Sequence, residues 1–438
     1  MFTTLRNAWK IDDLRKKVLF TLLILVVYRL GVNLPVPFIN VDIVSAFMQL
    51  QSGTIFGFAD LMNGGGLSKA SVFALGVQPY INATIILQLL GVAIPALERM
   101  QKEGPDGQKR FARIGRYVGG GLAVALGFGY YWVMRAQGAL KYGAGASLFP
   151  QIFTAIIIIL SFTAGALLVM WMGEQIDQKG IGNGISLLIF AGIVSRVGSV
   201  FESFKSFWGS AMGGETKYFV WMPIIVILAL ASVVFVIILN AAERRIPVQY
   251  AKKVVGRKMY GGQSSHIPIK VNMSGVMPII FASSFTSIPA TILAFFPAIQ
   301  NGNHPVWASI LNAMSSSGWI YAVVYTLLII AFNYFYVAIT YNPIEMANNL
   351  KKNNGAIPGI RPGKPTSDFI ARTISKVTLI GALFLVVVAV SPILITKVSG
   401  MNISLGGTSL LIVVGVALDT TRSMESFMTM RHHKGFLE

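Results

Sequence analysis

The sequence contains no cysteine and few charged residues. Without a cysteine among its 438 residues, the chain cannot form disulfide bridges, thiolate-bound metal sites or iron–sulfur clusters. Charged side chains make up 12% of the residues and hydrophobic ones 54%, whereas soluble domains carry roughly 25% charged residues. This composition predicts a membrane protein.

Catalytic motifs are also missing. Neither HExxH nor GxSxG occurs in the chain. The nearest approach to a phosphate-binding loop is GIRPGKPT (359–366), which has three residues between its glycines where that loop has four. Pro365 also stands where a magnesium-binding hydroxyl is needed. The sequence therefore predicts no enzyme activity, no cofactor and no metal site, which disfavours a membrane-embedded enzyme.

Ten apolar runs are close to the length of about 20 residues that crosses the hydrocarbon core of a bilayer. They are residues 18–35, 72–94, 117–137, 150–173, 184–201, 218–241, 273–297, 317–341, 377–396 and 406–424. No Asp or Glu lies deep inside any run, although proton or cation coupling in a membrane usually needs such a group. The runs predict an all-α membrane protein with ten transmembrane helices, and the missing acids disfavour a secondary transporter.

Basic residues are concentrated on one side of these runs. The chain has 36 Lys and Arg against 17 Asp and Glu, a net charge of +19. Of the 36, 28 fall on the side of the N-terminus. Because cytoplasmic segments carry the excess of Lys and Arg, both termini are predicted to be cytoplasmic. Two of these segments, 241–272 and 343–376, are longer than a connection requires.

Two motifs recur five runs apart. GVQPYI (76–81) in the second run matches GVMPII (275–280) in the seventh, and GISLLIFAGI (184–193) in the fifth matches GTSLLIVVGV (407–416) in the tenth. Chance recurrence of glycine, proline and leucine is the alternative. Two matches in the same order favour a duplicated unit of five spans.

An odd number of spans per unit places the second copy in the opposite orientation. We therefore predict two inverted halves, residues 1–201 and 202–424, followed by a cytoplasmic tail, 425–438. Interrupted helices at matching positions of inverted repeats mark the central site. Pro79 and Pro278 occupy such positions and are predicted to bend their helices.

Aligning the two copies also predicts an apolar constriction. An axis relating the halves brings together four isoleucines: Ile81, Ile189, Ile280 and Ile412. Apolar rings block ions by dewetting, and branched aliphatic side chains can still yield to a large and variable cargo. The alternative is that these four residues are ordinary core aliphatics.

The segment TIFGFADLMNGGGLSKAS (54–71) is apolar but too short to span a membrane. It is predicted to form a re-entrant helix, which must be buried in protein or line a cavity, with the glycines at 64–66 as a hinge. A surface amphipathic helix is the alternative.

Several long stretches resemble the bacterial SecY family, whose members are the central subunits of protein-conducting translocation channels. They are FALGVQPYINATIILQL (73–89), WMGEQIDQKGIGNGISLLIFAGIV (171–194), ERRIPVQYAKK (243–253), IPIKVNMSGVMPIIFASS (267–284), GAIPGIRPGKPT (355–366) and GGTSLLIVVGVALD (406–419). The resemblance implies a clamshell of two halves, an hourglass pore, a plug at about 55–69 and a lateral gate between spans 2–3 and 7–8. It also implies a passive channel in the bacterial inner membrane, through which unfolded secretory chains cross and hydrophobic segments leave sideways into lipid.

The resemblance assigns three sets of residues. The pore ring falls on Val77, Ile81, Ile185, Ile189, Ile280 and Ile412. The lateral gate lies where spans 2 and 7 face each other. Some of the polar residues on these two spans are predicted to hydrogen-bond across the closed gate; they are Asn82, Thr84, Gln88, Ser283, Ser284 and Thr286. Docking groups fall on Arg244, Arg245, Arg257, Lys258 and Arg361. The partners implied are the small subunits SecE and SecG, the SecA motor ATPase, the ribosome, signal peptides and nascent chains, and membrane lipids.

Overall fold

The computed structural model describes residues 9, 11–50, 55–142, 147–213, 217–250, 253–255, 258–260, 264–286, 319–399 and 407–434. Helices make up most of this part of the chain. They are α1 (Asp12–Val32), α2 (Val41–Leu50), α3 (Ile55–Met62), α4 (Gln78–Ala93), α5 (Pro95–Lys102), α6 (Pro105–Ala136), α7 (Leu148–Lys179), α8 (Gly184–Val194), α9 (Val197–Met212), α10 (Lys217–Ala241), α11 (Met277–Thr286), α12 (Trp319–Thr340), α13 (Pro343–Lys352), α14 (Lys364–Ser399) and α15 (Gly407–Lys434). The strands are β1 (Glu243–Tyr250), β2 (Lys253–Val255), β3 (Lys258–Tyr260), β4 (Ser264–Lys270) and β5 (Gly355–Ala356).

Each of the ten predicted apolar runs contains a helix, so the helical class is confirmed. By length and composition, six helical stretches within the described residues could cross a membrane, and α4 with α5 forms a further candidate bent by 109°. The count of ten spans remains a prediction. In the run 72–94 the helix begins only at Gln78, six residues after the predicted start.

The repeated motifs form the same local structure twice. Gly76 and Gly275 both adopt positive φ, +51° and +63°, a conformation that favours glycine, and a helix begins two residues after each. The prediction that Pro79 and Pro278 bend these helices is wrong. Both prolines are the second residue of their helix, where a missing N–H costs no intrahelical hydrogen bond, so they start the helices.

Two strands of a three-stranded antiparallel sheet, β1 and β4, lie in the predicted loop 241–272, and the sequence analysis did not predict them. Strand β1 is central, and its pairing with β4 runs from Glu243 opposite Lys270 to Gln249 opposite Ser264, while β5 pairs at the other edge. The inward side chains of the sheet pack with α12, α13 and α14, and the shared cluster includes Ile246, Val248 and Ile269. The second predicted loop, 343–376, contains α13, β5 and the first turns of α14.

Three apolar clusters hold the helices together. One contains buried residues from positions 36 to 166, and a second contains buried residues from positions 236 to 411. A third, called here the central cluster, joins buried residues from α1, α3, α4, α7, α8, α11 and α15, and so draws on both predicted halves.

The first and last long helices also meet. Leu14 of α1 and Met424 of α15 are buried with Ile181 in a small separate cluster. The Lys17 ammonium lies 4.2 Å from the centroid of the Phe427 ring, a favourable cation–π arrangement. The end of the described chain is thereby attached to its beginning.

Candidate functional site

Five of the six predicted ring residues are buried together in the central cluster. They are Val77, Ile81, Ile189, Ile280 and Ile412, with relative exposures of 2 to 7%. Ile185, the sixth, is partly buried and packs against the same cluster. Val77 immediately precedes α4, and the others lie in α4, α8, α11 and α15, so the two predicted halves meet at branched aliphatic side chains.

The first turns of three helices position these side chains. The Ile81 amide donates to Val77 O at 3.0 Å and the Ile280 amide to Val276 O at 3.2 Å, the same bond in each copy of the motif. At α8, Asn183 Oδ1 accepts the Ser186 amide at 3.0 Å, a typical N-cap bond. Helix starts therefore fix where the ring residues lie.

The segment 55–69 consists of α3 and a turn, and α3 packs on α8. The backbones touch at two glycines, since a Cβ on Gly64 would lie 3.0 Å from Gly192 Cα, and a Cβ on Gly192 would collide with Met62 O. Met62 belongs to the central cluster. The backbone of this segment therefore contacts the backbone of α8, and the segment lies beside the predicted ring residues.

Polar contacts that were not predicted from the sequence also hold the segment 55–69. Arg196 Nη1 lies 3.1 Å from Asp60 Oδ2, and Arg29 Nη1 donates to Gly64 O at 2.8 Å. One signal was available: Arg29 is a cation inside a predicted span, and ionisable groups in spans indicate function by default. Asp60 and Arg196 carry no comparable local pattern.

The hydroxyls predicted at the gate bond within their own helices. Those of Thr84, Ser283, Ser284 and Thr286 each donate to a main-chain carbonyl three or four residues earlier, at 2.8 to 2.9 Å. Asn82 and Gln88 are half-buried on α4. Unlike the hydroxyls, these two amide groups have no described bond to a carbonyl of their own helix. That they bond across the gate remains a prediction.

Two of the predicted docking residues lie on strand β1. Arg244 and Arg245 are both exposed, and Arg245 Nε is 2.6 Å from Glu243 Oε1. Lys258 begins β3, and Arg257 lies outside the described residues.

Arg361 lies in the turn before α14 and is exposed. Its carbonyl accepts the Thr366 hydroxyl at 2.8 Å, and Gly359 and Gly363 adopt positive φ on either side. The turn therefore has a defined backbone shape, and the arginine on it is exposed.

Comparison with known proteins gives consistent matches along the chain. Protein translocase subunits SecY of Streptomyces galbus and Thermotoga maritima are 41% and 40% identical to it, over 100% of this chain and 100% and 98% of theirs. A solved protein-conducting channel has a TM-score of 0.63 at 18% identity, covering 94% of this chain and 92% of that chain. Sec61 in a canine ribosome–channel complex has a TM-score of 0.59 at 17% identity, with the same coverage. The fold is therefore that of the SecY and Sec61 channels. The SecY family model matches residues 71–421, and the chain belongs to the SecY family.

Proposed function

We propose that this chain, a multi-pass subunit of a protein-translocation channel, conducts unfolded secretory polypeptides across the bacterial inner membrane. The observation that carries the proposal is the central cluster. It joins the two predicted halves through apolar side chains and has the segment 55–69 seated beside it. A contact of this kind separates without breaking strong bonds, so a pore can open and reseal.

The ring residues act as the seal and the segment 55–69 as the plug. Branched aliphatic side chains exclude ions by dewetting when they close on one another. They offer no hydrogen bonds that would select among passing sequences. A seal of this type suits cargo of any composition.

Hydrophobic segments leave sideways between α4 and α11. Helix–helix hydrogen bonds in bilayers average only about 0.6 kcal/mol, so a few bonds from Asn82 and Gln88 yield to an inserting apolar helix. Lipid is the destination, since a segment of about 20 apolar residues is stable there.

Energy and cargo come from partners on the cytoplasmic side, where both termini lie. The exposed arginines of β1 and the Arg361 turn support docking of the SecA motor or the ribosome, because ribosomal RNA is a polyanion that binds such groups with salt dependence. SecE and SecG are the membrane partners, and signal peptides and nascent chains are the cargo. The chain itself hydrolyses nothing.

Reconstitution tests the proposal. Vesicles containing the channel complex, supplied with motor ATPase, ATP and a secretory precursor, are expected to protect the precursor from added protease. Vesicles lacking this chain are the control. Uptake of a small solute driven by an ion gradient, with no precursor protection, would instead indicate a secondary transporter.

A further inference from the structure

We propose that Asp60 and Arg196 form an ion-pair latch that holds the segment 55–69 in its closed position. The inference rests on the proposed function, since it concerns how that plug is kept in place. Both residues act as positioning residues, because they set the location of the segment and leave the seal to the ring residues.

Each oxygen of the Asp60 carboxylate has a partner, and the side chain is nearly inaccessible to solvent. Its side chain is 5% exposed, and that of Arg196 is 24% exposed. Oδ2 lies 3.1 Å from Arg196 Nη1, while Oδ1 accepts the Ser68 amide at 2.8 Å. The pair therefore joins α3 to the wall of the channel and also ties α3 to its own following turn.

Arg196 reaches the segment because the chain breaks its helix there. It lies between α8, which ends at Val194, and α9, which begins at Val197. This break is next to the Gly64–Gly192 contact, so the cation lies beside the segment on the wall against which that segment packs. Any outward movement of the segment must separate the two charges.

Moving Asp60 away from Arg196 leaves a nearly inaccessible carboxylate without its ionic partner, which is unfavourable. A second cation adds to the hold, since Arg29 of α1 donates to Gly64 O. The Tyr130 hydroxyl of α6 donates to Leu67 O at 2.5 Å. The segment is thus anchored at Asp60, Gly64 and Leu67.

All of these anchors belong to the first predicted half. The anchoring residues Arg29, Tyr130, Gly192 and Arg196 all lie within residues 1–201 and move with the segment if the halves separate. Parting of the halves does not by itself break the latch. Release of the segment is then a separate step from opening of the ring.

A double-mutant cycle on the full channel complex tests the latch through resting ion conductance in planar bilayers. Asp60→Asn keeps the shape and one acceptor oxygen, and Arg196→Met keeps most of the length. Each single variant is expected to raise conductance by about tenfold, the effect of about 1.4 kcal/mol. The double variant is expected to leak no more than either single one, because an apolar or neutral replacement of both partners is often tolerated. Multiplicative single effects would overturn the pairing.

Matched controls separate the latch from general effects of charge. Asp42→Asn on α2 and Lys205→Gln on α9 remove exposed charges and are expected to leave conductance unchanged. Deletion of 55–69 is the positive control. If the deletion leaks and the single variants do not, the latch is overturned while the channel assignment stands. If the deletion does not leak either, the plug assignment falls and the latch with it.

A second measurement reports the position of the segment. Because the chain has no cysteine, Met62→Cys gives one labelling site at a residue that is 3% exposed. Asp60→Asn and Arg196→Met are each expected to speed its reaction with a membrane-impermeant maleimide added from outside by about tenfold, matching the conductance change. Equal labelling rates with and without the ion pair would overturn the proposal.

Discussion

Gly192 allows a close backbone contact because it has no side chain. Its repeat partner in the second copy, Gly415, has no described atom within 4 Å of a built Cβ, whereas a Cβ on Gly192 collides with Met62 O. The two glycines occupy equivalent places in the motif but only the first supports a backbone contact. The same glycine of the repeat therefore has a different role in each copy of the motif.

Gly192→Ala is therefore expected to displace the segment 55–69 and raise resting conductance. Gly415→Ala is the matched control, since both changes add the same methyl group to a helix and both favour helix formation by about 1 kcal/mol. Conductance of the purified complex in planar bilayers is the measurement. Equal conductance in the two variants would mean that the glycine contact does not position the segment.

The seal gives a second prediction at this scale. Ile280→Ala shortens a ring residue and is expected to increase ion leak, because a wider constriction wets more easily. Ile279→Ala is the control: its residue is 1% exposed and adjacent in sequence, but it packs in the cluster of the second half. Both changes destabilise the fold by about 2–5 kcal/mol, so only the difference in leak reports on the ring. A leak from both variants would contradict the assignment.

At the scale of elements, the sequence predicts the helices better than their joints. Long apolar runs identify where helices lie, but the helix of the run 72–94 starts six residues late because Gly76 adopts a turn conformation. Strand β1 was missed since its alternation, Ile246 and Val248 inward between exposed residues, is short and surrounded by charges. The internal repeat predicted that four isoleucines come together, and all four lie in the central cluster. The Asp60–Arg196 pair joins residues 136 positions apart, and such a contact leaves no local pattern.

The turn before α14 supports a prediction about docking. Arg361→Glu is expected to impair translocation driven by the motor ATPase severalfold while leaving membrane insertion intact, because a positioned cation is replaced by an anion. Lys364→Glu reverses an exposed charge at the start of α14 and serves as the control. Precursor protection in vesicles with correctly oriented protein is measured. Normal rates for Arg361→Glu would remove this residue from the mechanism.

Helix α4 supports a prediction about lateral opening. Asn82→Leu or Gln88→Leu is expected to change which signal sequences of marginal hydrophobicity are accepted, since each predicted bond across the gate contributes about 0.6 kcal/mol. Ser232→Leu on α10, at a residue that is half-buried like Asn82 and Gln88, controls for adding an apolar side chain to a helix. Insertion efficiency is measured across signals of graded hydrophobicity. Identical acceptance curves would show that these amides do not govern the gate.

On the scale of the whole molecule, the two predicted halves are joined at two places. The central cluster joins the predicted halves in the middle, and the contact of α1 with α15 joins them again through Leu14, Met424 and the Lys17–Phe427 pair. Separation of the halves is therefore resisted at two levels.

Met424→Ala is expected to lower the thermal midpoint of the detergent-solubilised complex by several degrees. The buried methionine is 7% exposed, and truncating such a residue costs about 2–5 kcal/mol. Met212→Ala, at a residue 68% exposed at the end of α9, should leave the midpoint unchanged. If both variants melt together with the parent protein, the junction of the first and last helices contributes nothing to stability.

The small sheet has a mechanical consequence. Strand β1 forms an arm about 25 Å long, stiffened by its pairing with β4, and its inward residues are embedded with those of α12, α13 and α14. We expect a force applied at the free end of β1 to be transmitted as torque to α12, α13 and α14, because a strand paired along its length bends little. Tension on the paired strands β1 and β4 in an optical trap should therefore shift channel opening, and insertion of two glycines into β1 should uncouple the applied force from opening.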